Sequence, residues 1–354
     1  MSRYLVSAGA ALGVVLGAFL CASSAAGSGQ AAESIGTNPT WSPDGTQVAF
    51  AYSGTSTFRI VTAPASGAGP VHTVYAAKNG DGCCDPMLWS RTGRILFDSN
   101  FTLMSESASG GSPTTLAKNI SWFILSPNGE TAAFDGPGGH SPSSIGLVDV
   151  NGGKVRLVPR PAQAGDGVAA FSPDGTELVF YREATFGSSP STFMAEHVGG
   201  GAPVPLSKSG LIGASRLPAG SVYPDWSPDG RWLAYMRLGK LEVVNTTGPA
   251  VVHTVAGWTD GAAFSWSPNS KRLVCFCGPN REHIRLTTLN PQGTERTILW
   301  ANRSLHYVTE DTADLPQWSP DGSKLAFLAR TGPGYPPIQV WVVGADGTGL
   351  ERIA

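Results

Sequence analysis

The phrase Pro39-Thr-Trp-Ser-Pro-Asp-Gly-Thr-Gln-Val-Ala-Phe50 decides the fold of this chain, because close variants of it recur along the sequence. Each copy has an apolar residue, then Ser-Pro-Asp-Gly or a variant, then an apolar run. The serines of the seven copies are Ser42, Ser90, Ser126, Ser172, Ser227, Ser267 and Ser319. The intervals between them are 48, 36, 46, 55, 40 and 52 residues, which is about the period of a four-stranded propeller blade.

The repeated phrase has the chemistry of a tight turn between two antiparallel strands. Ser at the first position, Pro at the second and Gly at the fourth suit a type I turn followed by a left-handed residue. The acidic residues at the third position are therefore interpreted as turn residues rather than catalytic acids: Asp44, Asp174, Asp229 and Asp321. Ser270 replaces the usual Gly, so we expect it to have a positive φ and Ser270→Gly to raise stability.

The residues after each turn alternate in size. Large apolar side chains lie six residues after the serine at Val48, Leu96, Leu178, Leu233, Leu273 and Leu325, and eight after it at Phe50, Phe134, Phe180, Tyr235 and Phe327. Mostly small apolar residues lie between them. A period of two predicts a strand, and apolar residues on both faces predict a strand that is covered on both sides.

Each of the seven units divides into four strands, so the sequence predicts an all-β chain: a seven-bladed β-propeller of four-stranded antiparallel blades. The phrases that start at Pro39 and Pro316 resemble the WD-like β-propeller repeat of the TolB type. The resemblance covers about residues 38–354, as seven WD-like repeats, and it includes the propeller without an N-terminal α/β domain. It implies a fold that occurs in binding proteins and in the non-catalytic halves of peptidases.

The N-terminus differs from the rest of the chain. Arg3 precedes an apolar run from Leu5 to Leu20, and small residues follow. This order is typical of a secretory signal peptide, and the run is short for a membrane span. We therefore expect a signal peptide (or an anchor) at residues 1–25, a linker at 26–37 and an exported protein that is periplasmic, at the cell surface or extracellular. Lipidation of Cys21 is a further alternative.

Composition and motifs narrow the function classes. A net charge of −2 gives no nucleic-acid footprint. The chain has no Gly-x-Ser-x-Gly elbow and no phosphate-binding Gly loop between a strand and a helix. The six histidines share no spacing. We therefore expect no catalytic residues, no cofactor, no metal site and no membrane span beyond the N-terminal segment.

Four cysteines remain after the N-terminal segment: Cys83, Cys84, Cys275 and Cys277. Cys275 takes the position that holds Phe or Tyr in most other repeats, so a buried thiol is the favoured interpretation. A Cys275–Cys277 bridge would join two residues at about the upper limit of Cα separation. A Cys83–Cys84 bridge stays possible, and the cysteine spacing disfavours zinc.

Loop lengths indicate a binding face. Five long connections lie on the face opposite the turns: Asp135–Ser144, Tyr181–Pro190, Ser207–Val222, Trp300–Leu315 and Ala329–Pro337. Long loops on a rigid scaffold usually bind. The expected anchors are Arg216, Tyr223, Trp258, Trp300, Arg303, His306, Tyr307, Asp311 and Asp314, with Asp85, Asp166 and Asp260 near the channel mouth.

We therefore expect an envelope or extracellular protein or peptide as the partner. The alternative is a glycan at the channel mouth, bound or cleaved, with aromatic rings stacked on sugars and carboxyl groups as acid and base.

Overall fold

The computed structural model describes residues 34–35, 39–54, 58–77, 83–136, 144–184, 192–209, 222–256, 258–278, 285–300, 305–306, 315–331 and 337–354. These residues form seven antiparallel sheets arranged as the blades of a propeller. The seven-bladed all-β fold predicted from the repeat is confirmed. Besides strands, the described residues contain one 3₁₀ turn, at Leu206–Lys208.

The strands follow one another blade by blade, from the innermost to the outermost. Blade 1 contains β1 (Ser34–Ile35), β2 (Thr40–Trp41), β3 (Gln47–Ser53), β4 (Phe58–Pro64) and β5 (His72–Ala77). Blade 2 contains β6 (Cys83–Trp89), β7 (Arg94–Ser99), β8 (Thr102–Ser107) and β9 (Thr114–Lys118). Blade 3 contains β10 (Trp122–Leu125), β11 (Thr131–Asp135), β12 (Ile145–Asp149) and β13 (Arg156–Leu157). Blade 4 contains β14 (Gly165–Phe171), β15 (Glu177–Glu183), β16 (Thr192–His197) and β17 (Val204–Pro205).

The last three blades have the same order. Blade 5 contains β18 (Val222–Trp226), β19 (Trp232–Arg237), β20 (Lys240–Asn245) and β21 (Val252–Ala256). Blade 6 contains β22 (Trp258–Trp266), β23 (Leu273–Gly278), β24 (Arg285–Leu289) and β25 (Arg296–Trp300). Blade 7 contains β26 (Leu305–His306), β27 (Gln317–Trp318), β28 (Lys324–Thr331), β29 (Gln339–Gly344) and β30 (Glu351–Arg352).

Blades 1 and 7 have five strands because their innermost strand is in two pieces. β1 and β2 both pair with β3, and β26 and β27 both pair with β28. Ser34 and Ile35 fall within the expected linker, yet they pair with Ser53 and Tyr52. Each blade is built from one continuous stretch of chain, so the two ends of the ring share no strand.

A buried serine hydroxyl organises each turn. Ser42 Oγ donates to Asp44 Oδ1 at 2.6 Å and accepts the backbone N–H of Gln47 at 2.9 Å. The same donor bond joins Ser172–Asp174, Ser227–Asp229 and Ser319–Asp321 at 2.5–2.6 Å. These bonds confirm that the repeated aspartates are turn residues. The Ser319 hydroxyl is the main reason that the pKa of Asp321 falls to about 2.

The size alternation determines how the blades stack. Val48 and Phe50 pack against blade 7, whereas Ala49 and Ala51 pack against blade 2. The large side chains therefore meet the preceding blade and the small ones the following blade. Among the described residues, each of the seven junctions between blades has its own buried apolar cluster. Closure rests on this packing, since blade 1 stacks on blade 7 like any other pair.

Blade 2 departs from the predicted register. Leu96 was expected among the large side chains that lie six residues after the serine, but it faces blade 3. Ile95 and Phe97 take the expected place against blade 1. The cause is a turn that is one residue shorter, because Ser90 pairs with Arg94 at four residues, whereas Ser42 pairs with Gln47 at five.

The tryptophan before the serine links one blade to the next. Trp41 Nε1 donates to Gln317 O of blade 7 at 3.0 Å. Trp266 Nε1 donates to Asp225 O at 3.1 Å, and Trp318 Nε1 to Ser265 O at 3.3 Å. In each case the acceptor lies two residues before the serine of the preceding blade. From the sequence, only an apolar residue was expected at this position. Its role as a hydrogen-bond donor depends on the preceding blade, which the closed ring places beside it.

The expectation of a free thiol at Cys275 is wrong. Cys275 and Cys277 are joined by a disulfide, and their Cα atoms are 5.3 Å apart. A regular strand would separate them by about 6.6 Å. The pairing with β22 is irregular here: Thr259 pairs with Cys277 and Phe264 with Cys275. The broken ladder permits the shorter distance. The backbone of Cys83 and Cys84 lies in β6.

The turn at Ser270 provides a test of backbone strain against hydrogen bonding. Ser270 has φ +61° as expected, but its Oγ accepts the backbone N–H of Asp229 in blade 5 at 2.9 Å. Ser270→Gly removes the strain and this bond together, so we expect little net change instead of a gain. Ser270→Ala keeps the strain and loses the bond, and should lower the free energy of unfolding by about 1 kcal/mol. Urea denaturation of both variants measures this, and equal values would contradict it.

The tryptophan hydrogen bonds between neighbouring blades, called seam bonds below, are tested by a matched pair of substitutions. Trp41→Phe removes the bond to Gln317 and should lower the free energy of unfolding by about 1 kcal/mol more than Trp89→Phe. Trp89 is the control because its buried Nε1 has no acceptor among the described residues. The loss of ring size is common to both variants and cancels. Equal losses in urea denaturation would mean that the seam bonds add nothing.

Candidate binding face

The propeller has two distinct faces. The turn face carries the seven turns that begin at the repeated serines. The loop face, opposite to it, carries the first residues of the innermost strands and the connections between the second and third strands of each blade. Of the expected anchors, Tyr223, Trp258, Trp300 and His306 lie on described strands that start or end at the loop face. Arg216, Arg303, Tyr307, Asp311 and Asp314 lie outside the described residues.

Extra residues interrupt most of the innermost strands close to the loop face. The pairing jumps at five of them, between Ile35 and Thr40, Cys83 and Met87, Val222 and Asp225, Thr259 and Phe264, and His306 and Gln317. In β14 one extra residue interrupts the pairing, as it does between Val222 and Asp225. An extra residue leaves the regular ladder and bends the strand, here on the strand that borders the channel. Asp85 and Asp260, expected near the mouth, and the expected anchor Tyr223 fall within these interruptions.

Two buried carboxyl groups lie between blades 3 and 4 at this end of the channel. Asp166 is bound at both oxygens by Arg182, at 2.7 and 2.6 Å. Asp135 Oδ1 accepts the backbone N–H of Val168 at 2.9 Å. Burial raises the pKa of Asp135 to about 7, and the nearby charge of Asp166 adds to the rise. Asp166 is 1 % exposed, and because Arg182 binds both of its oxygens this carboxylate is not presented to a bound sugar.

A further repeat position, which was not predicted as part of the site, also bears on this face. Asp98 in blade 2 and Asp135 in blade 3 follow the aromatic residue of the second strand, where the other five blades have Ala51, Tyr181, Met236, Phe276 and Leu328. The two acids at a position that is apolar in the other blades could have been recognised in the sequence. The two positions align, however, only when the register of blade 2 is corrected. Burial raises the pKa of Asp98 to about 6, although backbone N–H groups of Thr102 and Phe101 partly offset the rise.

Two hairpin tips on the loop face carry exposed apolar side chains. Phe101 is 62 % exposed and Leu238 is 87 % exposed. Both have positive φ, +57° and +51°, in two-residue turns with Asn100 and Gly239. Such turns favour Asn-Gly, and a left-handed Phe or Leu costs about 1–2 kcal/mol. These tips were not predicted, because their connections are tight instead of long.

The buried acids predict a measurable pH dependence. The folded pKa of Asp135 lies above its ordinary value of 3.8, so the fold favours the protonated carboxyl group. The free energy of unfolding should therefore fall as the pH rises from about 4 to about 7, by up to about 1.4 kcal/mol per pH unit, and level off above the folded pKa. Asp135→Asn should flatten the profile between pH 5.5 and 8.0, measured by urea denaturation.

Asp174→Asn is the control for this profile. The pKa of Asp174 is lowered, mainly by the hydroxyl of Ser172, so its substitution should shift stability equally across the same pH range. An unchanged slope in Asp135→Asn would show that this carboxyl group titrates elsewhere.

No protein-family model matches this chain, and no curated protein matches it. Among the described residues, no helix is long and apolar enough to span a bilayer. Solved structures match the fold.

Three of these structures represent different kinds of protein. An oligogalacturonate lyase from Vibrio parahaemolyticus is 11% identical with a TM-score of 0.61, and the match covers 87% of this chain and 90% of the lyase. A puromycin-hydrolyzing peptidase from Mycobacterium tuberculosis is 15% identical with a TM-score of 0.61. The match covers 92% of this chain but 53% of the peptidase, so the chain spans about half of that protein. TolB from Acinetobacter baumannii is 14% identical with a TM-score of 0.50, covering 84% of this chain and 75% of TolB. The chain is therefore a seven-bladed β-propeller that is similar in fold to TolB, to the lyase and to the peptidase.

Proposed function

We propose that this protein is an exported, non-enzymatic scaffold that binds a protein or peptide partner on its loop face. The observation that carries the proposal is the pair of apolar hairpin tips. Phe101 and Leu238 are mostly exposed and have positive φ. In the isolated fold these side chains therefore contribute little burial free energy, while their left-handed backbone is strained. Burying such a side chain against a partner contributes about 1.5–3 kcal/mol. Binding gives these residues a role that folding does not.

Two further features support the same face. The interrupted inner strands place extra residues around the channel mouth, as bulges commonly do beside binding sites. The aromatic and Arg anchors that the sequence predicts in the Ser207–Val222 and Trp300–Leu315 segments are expected on this side as well, and such residues often dominate interface energies. The apolar run at Leu5–Leu20 with small residues after it supports export, which makes the partner an envelope or extracellular molecule.

The hairpin tips allow a test that separates binding from folding. Phe101→Gly and Leu238→Asn would give both turns the Asn-Gly pair that they favour. The double variant should unfold at a higher temperature, because the left-handed strain is relieved. It should also retain less of the partner when the immobilised mature chain is used to capture envelope proteins that are then quantified by mass spectrometry.

The control for capture alters the turn face. Lys271→Ala and Lys324→Ala change exposed residues of blades 6 and 7 and should leave capture unchanged. A second set, Arg216→Ala, Arg303→Ala and Tyr307→Ala, tests the anchors expected from sequence. Capture that survives the tip variants and is lost in the control would assign binding to the other face. Loss of glycan ligands, and not proteins, in the tip variants would favour the glycan alternative.

A further inference from the structure

The junction between blades 1 and 2 is unlike the others on the turn face. In four junctions the turn proline of one blade lies beside the turn glycine of the next: Pro320 by Gly45, Pro127 by Gly175, Pro173 by Gly230 and Pro268 by Gly322. At blades 5 and 6 the Asp229–Ser270 bond joins the turns, and Arg91 lies against Gly129 at blades 2 and 3. A side chain added at Gly93 would meet no described atom within 4 Å.

The short turn of blade 2 accounts for this gap. Because the turn closes at Arg94 instead of one residue later, it does not reach the blade 1 turn. An open groove of about 510 Å³ lies between them. Pro43, Asp44 and Gln47 line it from blade 1, and Trp89, Thr92 and Ala108 from blade 2. The seam bond is also missing here, since the buried Trp89 Nε1 has no acceptor among the described residues.

Blade 2 also carries a buried carboxylate that has a counterpart in blade 4. Glu106 follows Ser105, which pairs with Leu96, and Glu196 follows Ala195, which pairs with Val179. Leu96 and Val179 pair with the residues two before the turn serine in their blades. The two glutamates therefore hold the same place in their blades, and both are 2 % exposed.

The counterpart in blade 4 has a cation that reaches it from the preceding blade. Arg156 of blade 3 donates to Glu196 Oε1 at 2.5 Å and to Val198 O at 2.9 Å. The Arg156 side chain keeps 32 % of its surface exposed while that of Glu196 is fully buried. A guanidinium can thus enter from solvent and bind this carboxylate together with the carbonyl two residues further along.

The described residues of blade 1 provide no such cation. Thr62 pairs with His72 as Leu147 pairs with Arg156, so His72 occupies the place of Arg156. Among the described contacts, Glu106 Oε1 accepts the adjacent Ser107 N–H at 2.8 Å and has no ion pair. Both glutamates keep a buried Oε2 without a partner, so the difference between the junctions is the missing cation. Ala108, in the place of Val198, lines the groove.

We propose that the groove between blades 1 and 2 binds an arginine side chain of a peptide partner. The guanidinium contacts Glu106 and the Ala108 carbonyl in the same way as Arg156 contacts Glu196 and the Val198 carbonyl. The peptide backbone lies in the groove beside Trp89. The charges that line the groove are Asp44, whose pKa is lowered mainly by the Ser42 hydroxyl, and Arg91, whose stem packs on Gly129 of blade 3. This site is on the turn face and is independent of the loop-face proposal.

A pair of reciprocal variants tests the pocket without a ligand. His72→Arg puts a guanidinium where blade 3 has one, and should raise the melting temperature by about 2–4 °C. Arg156→His makes the blade 3–4 junction resemble the blade 1–2 junction and should lower the melting temperature by a similar amount. A His72→Arg variant that melts at or below the wild-type temperature would contradict the equivalence of the two junctions.

The ligand chemistry is tested with acetyl-Ala-Arg-Ala-amide and its citrulline analogue, which keeps the shape and lacks the charge. Calorimetric titration of the mature chain should show one site for the arginine peptide and at least 10-fold weaker binding of the citrulline peptide. Glu106→Gln and His72→Arg should each weaken binding at least 10-fold. Glu196→Gln is the matched control and should leave affinity unchanged, while Arg156→His should raise the stoichiometry towards two.

Three outcomes would overturn the proposal. They are equal binding of the citrulline peptide, unchanged binding in Glu106→Gln, and no binding of the arginine peptide to the wild-type chain. Circular dichroism of each variant confirms that a loss of binding is not a loss of fold. The two candidate sites remain distinguishable, because none of these residues lies on the loop face.

Discussion

The rest of the structure depends on a buried serine hydroxyl at each turn. In six blades it donates to the side-chain oxygen two residues ahead, which is a carboxylate in four blades and an amide in two, and it accepts the backbone N–H five residues ahead. These two bonds set where the second strand begins, and the beginning of that strand sets which side chains face each neighbour. Phe50 meets blade 7 and Ala49 meets blade 2 for this reason. A local turn thus specifies the packing of the whole ring, because each face of a strand packs against only one neighbouring blade.

Blade 2 shows how sensitive this arrangement is. One residue fewer in its turn moves Leu96 to the opposite side of the strand, and Ile95 and Phe97 replace it. The blade still packs, because the displaced positions are apolar on both sides. The shorter turn alters contacts at the turn itself, where the contact with blade 1 is lost and Trp89 has no seam bond among the described residues. The irregularity therefore leaves the core intact and creates a surface feature.

The two faces differ in how many of their side chains the fold itself uses. On the turn face, hydroxyl–carboxylate bonds close the individual turns and proline–glycine contacts join neighbouring blades, so these side chains already have partners within the fold. On the loop face, the interrupted inner strands and the left-handed Phe101 and Leu238 do not serve the fold in any evident way. Structures retain such costs where another requirement outweighs them. Most of the inner strands thus depart from the repeat on the loop face, whereas the turn face departs from it in the shortened turn of blade 2.

The sequence alone determined the number of blades, the role of the repeated aspartates and the alternation of Val48, Ala49 and Phe50, because these depend on short-range turn chemistry and a period of two. The positive φ of Ser270 could be predicted for the same reason. Only the tertiary structure decided the Trp41–Gln317 bond, the Cys275–Cys277 disulfide and the raised pKa of Asp135, because each depends on neighbours that are distant in sequence or on an irregular ladder. The exposed tips escaped prediction since solvent exposure is a property of the assembled ring. Local rules repeat along this chain, whereas burial, charge and partner contacts are set by what the closed ring places beside each residue.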